Sequence, residues 1–137
     1  MPTEIFADTW YFVALNDRFD NHHGRAIRIR MRYGAYRLVT HENVLAEMLA
    51  FFSAQGEAAR TVAAKAAREA LDHLDVVTPD RMLFRRALDL YSDRSDKAYS
   101  LSDCMSMVVM KDRGITHVLT NDHHFRQEGF TVVSDAP

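Results

Sequence analysis

The segment Ser100–Phe125, SLSDCMSMVVMKDRGITHVLTNDHHF, runs from a polar start through an apolar helix and a glycine to a strand and an acid. Leu101–Arg113 reads as a helix that Gly114 stops, because glycine takes the left-handed turn at a helix end with least strain. Asp103 lies three residues after Ser100, the spacing of a capping box with aspartate in place of glutamate. The helix body, with Leu101, Met105, Met107, Val108, Val109 and Met110, is so apolar that it belongs inside the fold. Its polar end, Ser100, Ser102, Asp103 and Ser106, then has to face something. His117–Thr120 follows as a short strand, and Asp122 stands just beyond it. The chain opens in the same way, with Glu4–Asp8 reading as a strand that ends on an acid.

Outward from these two units the pattern repeats. Arg37–Thr40, Asp75–Thr78 and Thr131–Val133 are further strand-like runs. Val44, Leu45, Met48, Leu49 and Phe52 form an amphipathic helical stripe. The alanine-rich stretch Ala58–Leu74 predicts a long helix. Thr78-Pro79 predicts the start of the next one, with Thr78 as cap and Pro79 in the first turn. Phe19–Tyr33 fits a helix better than a strand. Strands alternating with helices predict an α/β fold with a parallel sheet covered on both faces.

Composition narrows the function classes. The 137 residues, 47% hydrophobic and 26% charged, fit a single domain over 1–137. The longest uncharged apolar stretch, Thr9–Leu15, is too short to span a bilayer. The opening MPTEIFAD has an acid and no basic region, so it does not read as a secretory signal, and a cytoplasmic protein is expected. One cysteine, Cys104, leaves no disulfide framework and no multi-cysteine zinc site. A formal net charge of −2 argues against a strongly basic nucleic-acid binder but leaves room for a local patch.

In open parallel sheets, ligands bind beyond the carboxyl ends of the strands. Asp8 and Asp122 both stand at such ends and can meet there despite their separation in sequence. Taken singly, each acid also suits a structural place. Asp8 can cap the helix at Thr9, Asp103 fits the capping box, Asp122 can cap a short helix, and Glu47 borders the buried stripe. Glu42, at the start of the same helix, rivals Glu47, although an acid there already favours the helix dipole. Asp96 fits a turn. The histidines include His123 and His124 but no HxH or HExxH arrangement, which disfavours a histidine-built zinc site. With no Ser–His–Asp order, no GxxxxGK[ST] loop and no GxGxxG, the carboxylates from separate elements suggest a hard-cation site of the magnesium or manganese type.

These residues resemble a known family. Asp8 in IFADTWYFVAL, Glu47 in THENVLAEML, Asp103 in DKAYSLSDCMSM and Asp122 in HVLTNDHHF are similar in order and setting to the PIN-domain ribonucleases, and within them to VapC-like toxins of toxin–antitoxin pairs. The resemblance implies a three-layer α/β/α domain and metal-dependent endoribonuclease chemistry with Mg2+, or Mn2+ in its place. It puts Asp8, Glu47, Asp103 and Asp122 in the site, with Asp8 and Asp103 taking most of the metal. Asp96, Ser102, Thr120 and Asn121 take supporting roles. It also implies an RNA substrate, an antitoxin partner and a homodimer, for which some of Trp10, Tyr11, Phe12, Phe51 and Phe52 could serve beyond the core. Arg81, Arg85, Arg86, Arg94 and Lys97 form one candidate RNA-contact group, and Arg25, Arg28, Arg30 and Arg32 a second; a solvated helix face explains either equally well. A PIN-like scaffold without activity and a metal-dependent DNA nuclease or phosphatase are the competing readings.

Overall fold

The computed structural model describes residues 3–133; the outermost residues of the expected 1–137 domain lie outside the described range. Its strands are β1 (Glu4–Ala7), β2 (Arg37–His41), β3 (Asp75–Val77), β4 (His117–Leu119) and β5 (Thr131–Val132). The helices are α1 (Thr9–Asn16), α2 (His23–Tyr33), α3 (Glu42–Phe52), α4 (Glu57–His73), α5 (Arg81–Asp93), α6 (Leu101–Arg113) and α7 (His124–Gln127). All strand pairings are parallel and the order is β3-β2-β1-β4-β5. The chain therefore steps one way from β1 to β3, then returns across the sheet to β4 and β5. Right-handed crossovers put α1–α4 on one face and α5–α7 on the other, a three-layer α/β/α sandwich. The reversal lies between β1 and β4, and it opens a crevice at their carboxyl ends.

The strands are apolar on both sides because both faces of the sheet are covered. Ile5, Phe6, Ala7, Val39, Val118 and Leu119 are buried at 0–1% exposure and leave no solvent face. Helix α6 behaves as its composition requires: every residue from Cys104 to Met110 is buried, and Gly114 ends the helix at φ 67. Helix α4 buries Ala63, Ala67 and Ala70, one stripe of small side chains that lets it pack closely. Helix α2 buries Ala26 and Ile29, a helical spacing, so Phe19–Tyr33 resolves into a loop followed by a helix.

Several boundaries move. Helix α5 begins at Arg81, and its cap is Asp80, whose carboxylate accepts the Leu83 N–H at 2.8 Å; Thr78 and Pro79 precede it in the chain. Aspartate outcompetes threonine for that role because it is the stronger cap. Asp8, Thr78 and Thr120 lie just past their strands. Leu49 and Phe51 are 37% and 48% exposed and stand outside the core, whereas Tyr11, Phe12 and Phe52 are buried in it.

Candidate metal centre

Four elements deliver acids to the crevice. Asp8 follows β1, and its backbone N–H extends the β1–β4 ladder to Leu119 O at 3.1 Å. It occupies the cap position of α1 in extended geometry, yet its side chain caps nothing. Instead Oδ2 accepts the Thr120 hydroxyl at 2.8 Å. The carboxylate is thus turned to the neighbouring strand end, where it meets Thr120, and it lies against the Thr9 backbone N–H without closing a side-chain cap bond. Burial pushes the Asp8 carboxyl up to about 6, the Thr120 and Thr9 bonds pull it back in part, and the charges of Asp103 and Glu47 push it further up.

Asp122 is oriented by the same hydroxyl, since its N–H donates to Thr120 Oγ1 at 3.1 Å. Its Oδ1 accepts the His124 N–H at 2.9 Å, a short turn that starts α7. Asp103 forms the expected capping box: its N–H donates to Ser100 Oγ, and its Oδ2 accepts the Ser100 N–H, both at 3.0 Å. Being a cap does not remove Asp103 from the site. Burial raises its carboxyl, and the nearby Asp122 charge adds to that, against the lowering pull of Ser100 and His124.

Glu47 faces the crevice from α3. Its Oε1 accepts the Ser102 hydroxyl at 2.6 Å and the Thr9 hydroxyl at 3.2 Å, so α1, α3 and α6 meet at one oxygen. Glu42 sits exposed in the first turn of α3, where the dipole explains it. Geometry thus separates the two glutamates.

His124, which the sequence reading disfavours as a metal ligand, stands beside the acids. Its Nδ1 lies 3.1 Å from Asp122 Oδ2 and 3.7 Å from Asp103 Oδ2. That nitrogen is buried and makes no hydrogen bond. Ligand atoms of Asp103, Asp122 and His124 all fall within 4.8 Å of one another. The Tyr99 ring packs against the His124 ring, 5.5 Å between centroids. Tyr99 in turn donates to Glu128, a carboxylate also held by Arg94 at 2.9 Å. No motif spacing flags His124: the two histidine rings lie together, 5.3 Å between centroids, and the turn at Asp122 puts the His124 Nδ1 against the acids. Carboxylate oxygens plus one buried imidazole nitrogen facing them make a donor set that suits a divalent cation.

A second buried chain ties α3 to α6. His41 and Ser106 are both at 0% exposure. His41 Nδ1 accepts the Val44 N–H at 3.3 Å, which leaves the ring proton on Nε2. Nε2 then donates to Ser106 Oγ at 2.9 Å, and the Ser106 hydroxyl donates to Ser102 O at 3.1 Å. Burial pushes the imidazole down to about 4, so it stays neutral. The two helices carrying Glu47 and Asp103 are thereby fixed at their first turns.

The supporting residues divide. Thr120 and Ser102 touch site acids directly. Asn121 accepts from Arg25 at 3.1 Å. Asp96, with a side chain 73% exposed, pairs with Lys97 at 3.5 Å and is not drawn to the acids. Of the first arginine group, Arg86 clamps Asp112 at 2.6 and 2.7 Å and Arg94 holds Glu128. Arg81 and Arg85 are exposed on α5. Through Glu128 and Tyr99, Arg94 is connected to the His124 ring beside Asp103 and Asp122.

The sequence matches the profile described as PIN domain over residues 5–130. It is 28% identical over 130 residues to the 23S rRNA-specific endonuclease VapC20 of Mycobacterium tuberculosis, covering 94% of this chain and 97% of that protein. The crystal structure of VapC20, described as a Sarcin-Ricin loop cleaving toxin, superposes with a TM-score of 0.84 at 26% identity over 95% of this chain and 98% of the other. PAE2754 from Pyrobaculum aerophilum shares the fold, with a TM-score of 0.63 at 14% identity over 96% and 90% of the two chains.

Proposed function

The chain belongs to the PIN-domain family, and from that premise we propose that it is a divalent-metal-dependent endoribonuclease, the toxin of a toxin–antitoxin pair. The observation that carries this reading is the group Asp103, Asp122 and His124, whose ligand atoms lie within 4.8 Å of one another, with Asp8 joined to Asp122 through Thr120 and raised by the charges of Asp103 and Glu47. Asp8, Asp103, Asp122 and Glu47 hold the cation, Mg2+ with Mn2+ as a substitute, and His124 Nδ1 stands as a further donor. Bound there, such an ion supplies positive charge that acidifies water and offsets the charge of a phosphodiester.

The protein's own part is orientation. Each carboxylate has a protein donor on one of its oxygens: Thr120 for Asp8, Ser102 and Thr9 for Glu47, the Ser100 N–H for Asp103 and the His124 N–H for Asp122. Such bonds fix the carboxylate planes and leave the other lone pairs for a ligand. With its carboxyl at about 6, Asp8 is mostly anionic at neutral pH, the form a cation requires.

The substrate follows from the relative. A toxin that cleaves the sarcin–ricin loop points to a structured rRNA hairpin as the RNA class for this chain. An antitoxin partner, a homodimer and a cytoplasmic site of action complete the proposal; no helix among the described residues is long and apolar enough to cross a membrane.

The test is cleavage of a sarcin–ricin loop hairpin and its DNA counterpart, with Mg2+, with Mn2+ or with excess chelator. Cleavage of the RNA alone, lost in chelator and in Asp8→Asn and Asp103→Asn proteins that keep wild-type circular dichroism, supports the proposal. Undiminished cleavage in chelator or in both variants refutes it.

A further inference from the structure

Magnesium takes oxygen ligands and keeps several of its waters, whereas imidazole nitrogen suits the later first-row transition ions. A nitrogen set among carboxylates therefore steepens the preference for those ions over Mg2+. His124 brings such a nitrogen to Asp103 and Asp122.

The imidazole is held in place by its surroundings. The His124 backbone N–H is tied to Asp122 Oδ1 at 2.9 Å. Its ring meets two others, Tyr99 edge-on at 5.5 Å and His123 tilted at 5.3 Å. Tyr99 is 4% exposed, and its hydroxyl donates to Glu128 at 3.0 Å. Arg94 at 2.9 Å and Lys111 at 3.4 Å hold the same carboxylate. A swing of the imidazole away from the acids gives up the Tyr99 contact, and Tyr99 is anchored against following it.

The spacing of the donors suits a shared ion. His124 Nδ1 lies 3.1 Å from Asp122 Oδ2 and 3.7 Å from Asp103 Oδ2, and it is buried with neither contact aligned as a hydrogen bond. Two ligand atoms each ~2.1 Å from one ion are about 3.0 Å apart at right angles and about 4.2 Å apart when opposed. Both separations fall within that span. An imidazolium serving only as an ion-pair partner would point its N–H along the shorter contact, and this ring does not.

We propose that His124 sets the ion preference of the metal centre, its Nδ1 raising the preference for Mn2+ and Co2+ over Mg2+ above what the carboxylates alone would give. The inference rests on the divalent-metal reading above and orders the ions that the centre takes.

Calorimetric titration of the tag-free, metal-free protein with Mg2+, Mn2+ and Co2+ tests this without RNA or cleavage. His124→Asn loses at least about tenfold in affinity for Mn2+ and Co2+, the lower end of what removing a group that supports a metal costs. Its affinity for Mg2+ stays within about twofold. His124→Asp, an all-oxygen cluster, gains affinity for Mg2+ and keeps the lowered ratio of Mn2+ to Mg2+ affinity. The spin-echo envelope of Mn2+ bound to the wild-type protein carries modulation from a nitrogen nucleus, and His124→Asn abolishes it at unchanged stoichiometry. Mn2+ bound to wild type without that modulation, or modulation that persists in His124→Asn, overturns the inference while leaving a carboxylate metal centre intact. A wild-type ratio of Mn2+ to Mg2+ affinity in both variants does the same. Wild-type protein that binds none of the three ions overturns both readings.

Discussion

The Thr120 hydroxyl donates to Asp8 Oδ2 at 2.8 Å, joining residues 112 positions apart, and the same oxygen accepts the Asp122 N–H at 3.1 Å. One side chain therefore orients two acids. It can do so because β1 and β4 are neighbours in the sheet, with Ala7 opposite Leu119. The next residue on each strand then stands at the same edge.

Asp8 should destabilise the metal-free protein at neutral pH. Its carboxyl rises from 3.8 unfolded to about 6 folded, so the native state binds the proton more tightly. Stability then falls as pH climbs from about 4 to 6, and the penalty is complete above 6. At ~1.4 kcal/mol per unit it is on the order of 2–3 kcal/mol. Asp8→Asn keeps an acceptor for Thr120 and loses the charge, so its metal-free melting point at pH 7.5 should rise by about 5–10 °C. A fall would return Asp8 to the role of helix cap.

Protons and metal compete for the same oxygens. Affinity for manganese should be nearly flat above pH 7 and drop about tenfold per unit below 6, where one proton on Asp8 must leave. Asp103, raised by burial, steepens the drop. Calorimetric titrations from pH 5 to 8 measure this, and a pH-independent affinity would remove Asp8 from the ligand set.

Glu47 and Glu42 are separable by one comparison. Glu47→Gln should shrink the manganese-induced rise in melting temperature, while Glu42→Gln should leave it unchanged and cost at most ~0.5 kcal/mol of helix-end stabilisation. The opposite pattern would transfer the site role to Glu42.

Ser106→Ala leaves the buried His41 Nε2–H without an acceptor, at a cost of about 1–3 kcal/mol. Because the same chain fixes the first turns of α3 and α6, affinity for manganese should weaken several-fold as well. Melting curves and metal titrations on the one variant read both effects. Lower stability with wild-type metal affinity would confine His41 and Ser106 to packing.

Much of this was legible in the sequence because it is local. The Ser100–Asp103 box and the Gly114 stop follow from residues a few positions apart, and the structure contains both. The strand-then-acid units at Asp8 and Asp122 and the alternation of strands and helices likewise specify a parallel sheet. The helix start at Thr78-Pro79 failed through a local competition, since Asp80 offered the stronger acceptor.

The relations between elements were not legible. Whether Asp8 caps α1 or turns to Thr120, whether Glu42 or Glu47 faces Ser102, and whether His123 or His124 enters the cluster depend on which elements are neighbours. The basic residues behave alike: Arg86 on α5 meets a carboxylate on α6, Arg94 just past α5 meets one beside α7, and Arg25 on α2 reaches Asn121. Backbone propensity, capping and burial act over a few residues, so the sequence determines the elements and the acids that end them. Hydrogen bonds and charges act over a few ångströms whatever the separation along the chain, so only the strand order β3-β2-β1-β4-β5 decides which of those acids share a site.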